Sequence, residues 1–218
     1  MKSVYCRTTN EEIPVGKIIC VGRNYREHAK EMDSEIPERP ILFLKPSTAI
    51  IRSGQEVILP PFSKDLHYEL EFVVVIAKEG KNIHRQSARD FILGYAVGLD
   101  MTLRDVQRDS KKKGLPWSVA KGFDTSAPIS DIITMEKMRT PLNVKFSLRV
   151  NQQIRQRGST QDMIWDIDSL ISYVSEIFTL ERGDVIFTGT PSGVGAVNSG
   201  DILEAELEGL VTLTCSVR

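Results

Sequence analysis

The 218-residue chain has no apolar run approaching the roughly 20 residues that a membrane-spanning helix needs. Its opening, MKSVYCRTTNEEIPVGK, also lacks the uninterrupted apolar stretch of a secretory signal. A cytoplasmic protein with no membrane partner is the expectation. Cysteine is scarce, and Cys6, Cys20 and Cys215 form an odd, widely spaced set. That spacing argues against a disulfide framework or a zinc cluster and for three reduced structural thiols. Excess charge is missing too: 28 Lys and Arg stand against 29 Asp and Glu, so nothing electrostatic calls for a nucleic acid partner. Internal repeats, low-complexity tracts and long linkers are absent.

What remains is a globular mixture, 41% hydrophobic and 26% charged, long enough to bury a sizeable core. One domain over residues 17–218 is expected, with residues 1–16 as an N-terminal extension or edge segment. Strand signals dominate. Lys17 to Gly22 reads as a buried strand, Ile41 to Lys45 as another, and Leu70 to Ala77 (LEFVVVIA) is the strongest β-branched run. Leu93 to Leu99 carries two glycines, which suggest a bend or close backbone approach. Val144 to Val150, Asp184 to Thr188, Ile202 to Leu207 and Leu210 to Val217 complete the strands.

Helical patterns are few: a short polar helix or turn over Arg23 to Met32, a helix capped by Thr102 and stopped by Gly114 and Pro116, and Asp166 to Leu180. Lys111 to Lys113 complement the dipole of the second helix, which reads as a solvated helix end rather than an anion site. Helices so few and so unevenly placed exclude a doubly wound sheet and predict a β-rich α+β domain.

Three constellations carry chemistry. In His67-Tyr68-Glu69-Leu70-Glu71, strand alternation puts Glu69 and Glu71 on one face, with His67 beside them. Two such charges about 4 Å apart repel by about 4 kcal/mol at an effective dielectric of about 20. A buried pair therefore needs protonation, a basic partner or a metal ion, and a hard dication suits oxygen ligands best. Asp100, at the end of a separate strand, is assigned as the third carboxylate.

In the second constellation, His28 and Glu31 are three residues apart on one helical face, where a carboxylate fixes the imidazole's tautomer for general-base work. The third is the glycine-rich loop Phe187-Thr188-Gly189-Thr190-Pro191-Ser192-Gly193-Val194-Gly195, which can present backbone N–H groups to an anion but matches no nucleotide-binding pattern. A solvated sheet face, a surface contact and a plain tight turn are the structural alternatives for the three. His67 is read as packing in its strand, His84 as solvent exposed, and Trp117 and Trp165 as packing residues.

GRNYREHAKE, FLKP, HYELEFVVVIA, GYAVGLDMTLRDVQ, PWSVAKGFDTSAP and IFTGTPSGVG, in this order, resemble the fumarylacetoacetate hydrolase family, and most closely its short acylpyruvate hydrolase branch. The resemblance runs from about Lys17 to the C-terminus. It implies a mixed β-roll, a homodimer, and Mg²⁺ or Mn²⁺ held by Glu69, Glu71 and Asp100. It further implies that His28 and Glu31 are a water-activating dyad on a mobile helix and that Lys121 stands near the reacting carbonyl. Arg23, Lys45, Gln107 and Thr190 are implied to line the pocket for a small 2-oxo acid. The expected reaction is cleavage of a carbon–carbon bond in an acylpyruvate. Oxaloacetate decarboxylation or keto–enol isomerisation on the same metal site is the alternative, and a non-catalytic metal-binding domain the third reading.

Overall fold

A computed structural model describes residues 2–138 and 141–218. Its frame is an eight-stranded mixed sheet in the spatial order Ile41–Pro46, Lys17–Gly22, Val185–Phe187, Leu70–Ile76, Ile92–Leu99, Ala127–Ile129 and Ile50–Arg52, with Ile133–Thr134 also paired to Ile92–Leu99. A five-stranded sheet runs Gln153–Ser159, Lys145–Val150, Ile202–Leu207, Val211–Val217 and Glu56–Val57. A three-stranded patch joins Thr102–Leu103, Leu66–Tyr68 and Gly195–Val197. Four α-helices among the described residues complete the α+β architecture expected from the sequence: α1 (Arg26–Glu31), α2 (Arg104–Lys113), α3 (Ser118–Lys121) and α4 (Ile167–Ile177).

The unbroken apolar run at Leu70–Ile76 has a direct cause. Every residue of that strand is buried, because both faces of the large sheet are covered. Leu70, Phe72, Val74 and Ile76 point into the larger core, shared with the five-stranded sheet and α4. Val73 and Val75 point into a second core containing Ile18, Cys20, Ala96 and Phe187. The N-terminal hairpin, Ser3–Cys6 with Glu11–Pro14, places Val4, Cys6 and Ile13 in that second core. All three cysteines are free and buried. At about 25 cal/mol per Å² of apolar surface, each fully buried Val or Ile stabilises the fold by roughly 1.5–3 kcal/mol.

Helix starts differ from the sequence expectation at one informative place. Thr102 does not cap α2, which begins at Arg104 after Leu103. Thr102 and Leu103 are drawn into a short antiparallel pairing with His67 and Leu66. The Thr102 hydroxyl is thereby turned inward. The far end of α2 is as expected, with Gly114 in the left-handed conformation at φ 65°. In α4, Asp166 accepts a hydrogen bond from the Ser169 N–H at 2.8 Å, and the apolar stripe Ile167, Leu170, Ile171, Val174 is buried.

Candidate active site

The chain leaves the three-stranded patch at Tyr68 and enters the large sheet at Leu70, so Glu69 occupies the single-residue break between strands. Glu71 follows inside the large sheet, opposite Gly98. Asp100 lies just past the end of the neighbouring strand, where its N–H donates to the Glu69 carbonyl at 2.8 Å. Two antiparallel neighbours thus bring three carboxylates together. Glu69, Glu71 and Asp100 are all buried and each offers an oxygen within 4.8 Å of the others.

Their partners are unequal. The Lys121 ammonium, from the end of α3, donates to Glu69 Oε2 at 2.8 Å, to Asp100 Oδ2 at 2.5 Å and to the Thr102 hydroxyl at 2.7 Å. Arg104 donates to Glu69 Oε1 at 2.7 Å and to Gln107 Oε1 at 2.7 Å. Among the described residues, Glu71 receives only the Gly189 N–H, at 2.7 Å. Burial alone would raise the pKa of Glu69, but Lys121 and Arg104, with His28, outweigh it and hold the carboxyl far below its usual range. Glu71 goes the other way: burial first, then the Asp100 and Glu69 charges, push it well up. Burial works against the Lys121 charge, yet Asp100 and Glu69 raise its pKa overall.

A divalent cation fits this donor set. Three hard oxygen ligands converge, and one of them, Glu71, lacks any cationic side chain within hydrogen-bonding distance among the described residues. Asp100 Oδ1 is buried without a hydrogen bond, although Lys45 Nζ stands 2.7 Å away. The Lys45 donors are directed instead to the carbonyls of Met101, Lys121 and Ser126.

The dyad spacing read from the sequence is realised as a contact. His28 Nδ1 and Glu31 Oε2 are 3.0 Å apart on α1, and the other Glu31 oxygen accepts the Gly193 N–H at 3.0 Å. With Nδ1 engaged, the second ring nitrogen of the buried His28 is left for the cleft that His28 lines together with the triad. The glycine-rich loop therefore does offer its N–H groups to carboxylates, but to the protein's own. Gly189 orients Glu71 and Gly193 orients Glu31.

The cleft, about 490 Å³ including its open mouth, brings together the triad, His28, Lys121, Arg23, Gln107 and Thr190. Lys45, expected there from the resemblance, is not part of the lining. Its side chain is fully buried, and it serves the Asp100 carboxylate and the backbone rather than the open space. Glu31 also stays outside the lining and acts through His28. His67 is bound to Asp65 at 2.8 Å and does not enter the cleft.

The sequence reading missed Arg104, Lys111 and Trp117 as cleft residues. A signal existed: Arg104, Gln107 and Lys111 fall at i, i+3 and i+7 on a helix with almost no apolar residue, so its inward face had to be polar. Lys111, Lys112 and Lys113 are all exposed, as expected of a solvated helix end; Lys113 pairs with Asp109 at 2.9 Å, and the Lys111 ammonium stands over the Trp117 ring, 5.3 Å from its centroid. Gln156 was missed as well. Fully buried, it accepts the Leu70 N–H and donates to Thr190 and to the Pro191 carbonyl.

A buried acidic triad beside an imidazole–carboxylate pair, set in a β-rich frame, defines a class of metal-site enzymes. The chain belongs to the fumarylacetoacetate (FAA) hydrolase C-terminal family, whose model matches residues 17–218. It is 49% identical over 200 residues to the mitochondrial oxaloacetate tautomerase FAHD1 of Homo sapiens, covering 92% of this chain and 90% of that protein. It is 48% identical over 197 residues to the mitochondrial oxaloacetate decarboxylase of Dictyostelium discoideum, covering 90% of each. Among solved structures, fumarylpyruvate hydrolase from Pseudomonas aeruginosa, in complex with Mn²⁺ and pyruvate, superposes with a TM-score of 0.93 at 38% identity, covering 99% of this chain and 94% of that one. Among the described residues no helix is long and apolar enough to cross a membrane.

Proposed function

We propose that the protein is a Mg²⁺-dependent acylpyruvate hydrolase, cleaving short acylpyruvates to pyruvate and a carboxylic acid. The observation that carries this reading is that His28, held by Glu31, lines the same cleft as the triad, since of the candidate reactions only hydrolysis requires an activated water. Glu69, Glu71 and Asp100 would hold the dication, which when bound supplies Lewis acidity to the substrate's 2-oxo acid end. The Mn²⁺ and pyruvate of the Pseudomonas aeruginosa relative support the choice of ion class and product.

The chain's own residues do the rest. His28 takes a proton from water, and Glu31, fixed by Gly193, keeps the ring in the tautomer that can accept it. The water oxygen bonds to the acyl carbon, the bond from that carbon to the methylene breaks, and the electron pair stays on the methylene. That carbon then takes the proton His28 removed from water and becomes the methyl group of pyruvate. Lys121 stabilises the negative charge that develops nearby, while Gln107 and Thr190 orient the bound 2-oxo acid. Closure of α1 over the substrate would exclude bulk water. A homodimer and a reducing compartment, the cytoplasm, belong to the same proposal; the free buried thiols support the latter.

The relatives named for oxaloacetate favour a second reading, keto–enol isomerisation or decarboxylation of oxaloacetate on the same residues. Acetylpyruvate, fumarylpyruvate and oxaloacetate supplied with Mg²⁺ separate the two, following pyruvate release and enol absorbance independently. Pyruvate from the acylpyruvates is expected. Enol–keto conversion with no carbon–carbon cleavage would overturn the hydrolase reading.

A further inference from the structure

Gln156 is the one buried position of its edge strand, Gln153–Ser159, and a polar side chain sealed in such a place needs partners. The strand carries an extra residue, Arg155, against Lys145–Val150: Leu148 pairs with Gln156, but Arg149 already pairs with Ile154. A bulge of this kind re-aims the side chain beside it. Here the re-aimed amide reaches two other segments at once. Its Oε1 accepts the N–H of Leu70, the residue between Glu69 and Glu71, at 2.8 Å. Its Nε2 donates to the Thr190 hydroxyl oxygen at 2.9 Å and to the Pro191 carbonyl at 2.8 Å. The amide cannot be reversed, because a backbone N–H only donates and must meet the oxygen. Thr190 therefore accepts from Gln156, and its own hydrogen has to go elsewhere. The acceptor it has among the described residues is the Pro191 carbonyl, 3.4 Å away, long for an O–H donor and already taken by Gln156. Thr190 is buried and lines the cleft with the triad, while Gln156 stays behind it.

We propose that Gln156 is a positioning residue: by donating to the Thr190 oxygen it makes the Thr190 hydroxyl a hydrogen-bond donor toward the cleft, where it meets a carboxylate oxygen of the bound 2-oxo acid. This rests on the proposed use of the cleft for a 2-oxo acid and names the residue that sets the polarity of one of its contacts. A hydroxyl left to itself presents either its hydrogen or its lone pairs, and lone pairs turned to a carboxylate repel it. Gln156 removes the second choice. The same amide holds the Leu70 N–H between two residues of the triad, so the substrate contact and the triad strand share one anchor drawn from the other sheet.

The test is a double-mutant cycle on Gln156→Met and Thr190→Val, with Mg²⁺ binding, and then pyruvate binding to the Mg²⁺-loaded protein, measured by calorimetry. Thr190→Val should weaken pyruvate binding about tenfold, since it removes a hydrogen bond to a charged group. Gln156→Met should weaken it about fivefold, because the Pro191 carbonyl, stripped of its donor, draws the Thr190 hydrogen away from the cleft. In the Thr190→Val background Gln156→Met should cost nothing further, and Mg²⁺ affinity should stay within about twofold throughout. Thr190→Ser, which keeps the hydroxyl, should keep most of the affinity. Gln156→Glu has the same size and keeps an acceptor for the Leu70 N–H, but as a carboxylate it offers Thr190 only an acceptor. It should lose as much as Gln156→Met, and it takes that variant's place in the cycle if the methionine form fails to fold. An equal loss in both Thr190 backgrounds, a matching loss of Mg²⁺ affinity, or full pyruvate affinity in the Gln156 variants overturns the proposal. Pyruvate that binds no form, the wild type included, takes the 2-oxo acid reading down with it. If no acylpyruvate is cleaved while the cycle holds, the hydrolase reading fails and the role of Gln156 does not.

Discussion

Without its ion, the triad should make the protein less stable as pH rises above the ordinary carboxylate range. Oxygens within 4.8 Å of one another repel by roughly 3.5 kcal/mol per pair at an effective dielectric of about 20, and Glu71 faces two such neighbours. Burial and these two charges push Glu71 toward its neutral form. Each pH unit over which the folded carboxyl stays protonated after its unfolded counterpart has ionised costs about 1.36 kcal/mol, so three units above the ordinary value of 4.5 would cost at most about 4 kcal/mol. Because its folded pKa is raised, the stability Glu71 allows is complete below pH 4.5 and is lost as pH climbs toward the folded value. Glu69, held low by Lys121 and Arg104 against burial, acts on the other side, losing its contribution only as pH falls below 4.5. The decline above pH 4.5 therefore belongs to Glu71. For a chain of this length, 4 kcal/mol sets a ceiling of about 8–16 °C on the fall in Tm. Melting curves in chelator across that range should show the decline, Mg²⁺ should restore stability most at the alkaline end, and Glu71→Gln should flatten the metal-free profile. A chelated wild type whose slope equals that of Glu71→Gln would refute the electrostatic argument.

Other expectations follow from single contacts. His28→Ala should slow acylpyruvate cleavage by about 10²-fold or more while leaving Mg²⁺ affinity within about twofold, as read by single-turnover kinetics and calorimetry; an unchanged rate would remove the general base. Asp100→Ala should abolish Mg²⁺ binding by calorimetry with the fold retained by circular dichroism. Lys45→Met should destabilise by about 3–5 kcal/mol in urea melts, because it strips a fully buried partner from Asp100 and strands three carbonyls. A loss under 1 kcal/mol would mean that Lys45 is no structural strut.

The large strands were legible because their patterns come from burial, which acts residue by residue: LEFVVVIA reads as a strand covered on both faces, and it is one. Glu69, Glu71 and Asp100 were legible for a related reason, since charges at the mouth of such a strand need an explanation. The roles of Lys45 and Lys121 were not separable in the sequence. Both are lysines near the triad, and what differs is where their ammonium groups point, backbone carbonyls for one and the cleft for the other. Thr102 misled because a hydroxyl before a helix pattern reads as a cap, whereas the pairing partner that claims it, His67, lies 35 residues earlier. Long-range pairing of two-residue strands leaves no periodicity to detect.

The glycine-rich loop links both halves of the chemistry, and its two key glycines should fail in different ways. Gly189 is at φ 101°, where an added Cβ would lie 2.7 Å from the Asn24 Cβ, and its N–H holds Glu71. Gly193 is at φ 98°, where a Cβ would lie 2.5 Å from the Arg155 carbonyl oxygen, and its N–H holds Glu31. Either substitution must shift backbone, since the obstacle at the second is itself main chain and the conformation is costly for any other residue. Gln156 ties the segment between them, at Thr190 and Pro191, to Leu70, so a shift at one glycine is damped before it reaches the other. Gly189→Ala should therefore weaken Mg²⁺ binding, whereas Gly193→Ala should preserve it and lower the hydrolytic rate by loosening Glu31 and with it the imidazole. Metal titration and turnover measured on the same two variants decide the matter. Parallel losses of affinity and rate in both would show that the loop moves as one body, and that the metal site and the water-activating pair are not held separately.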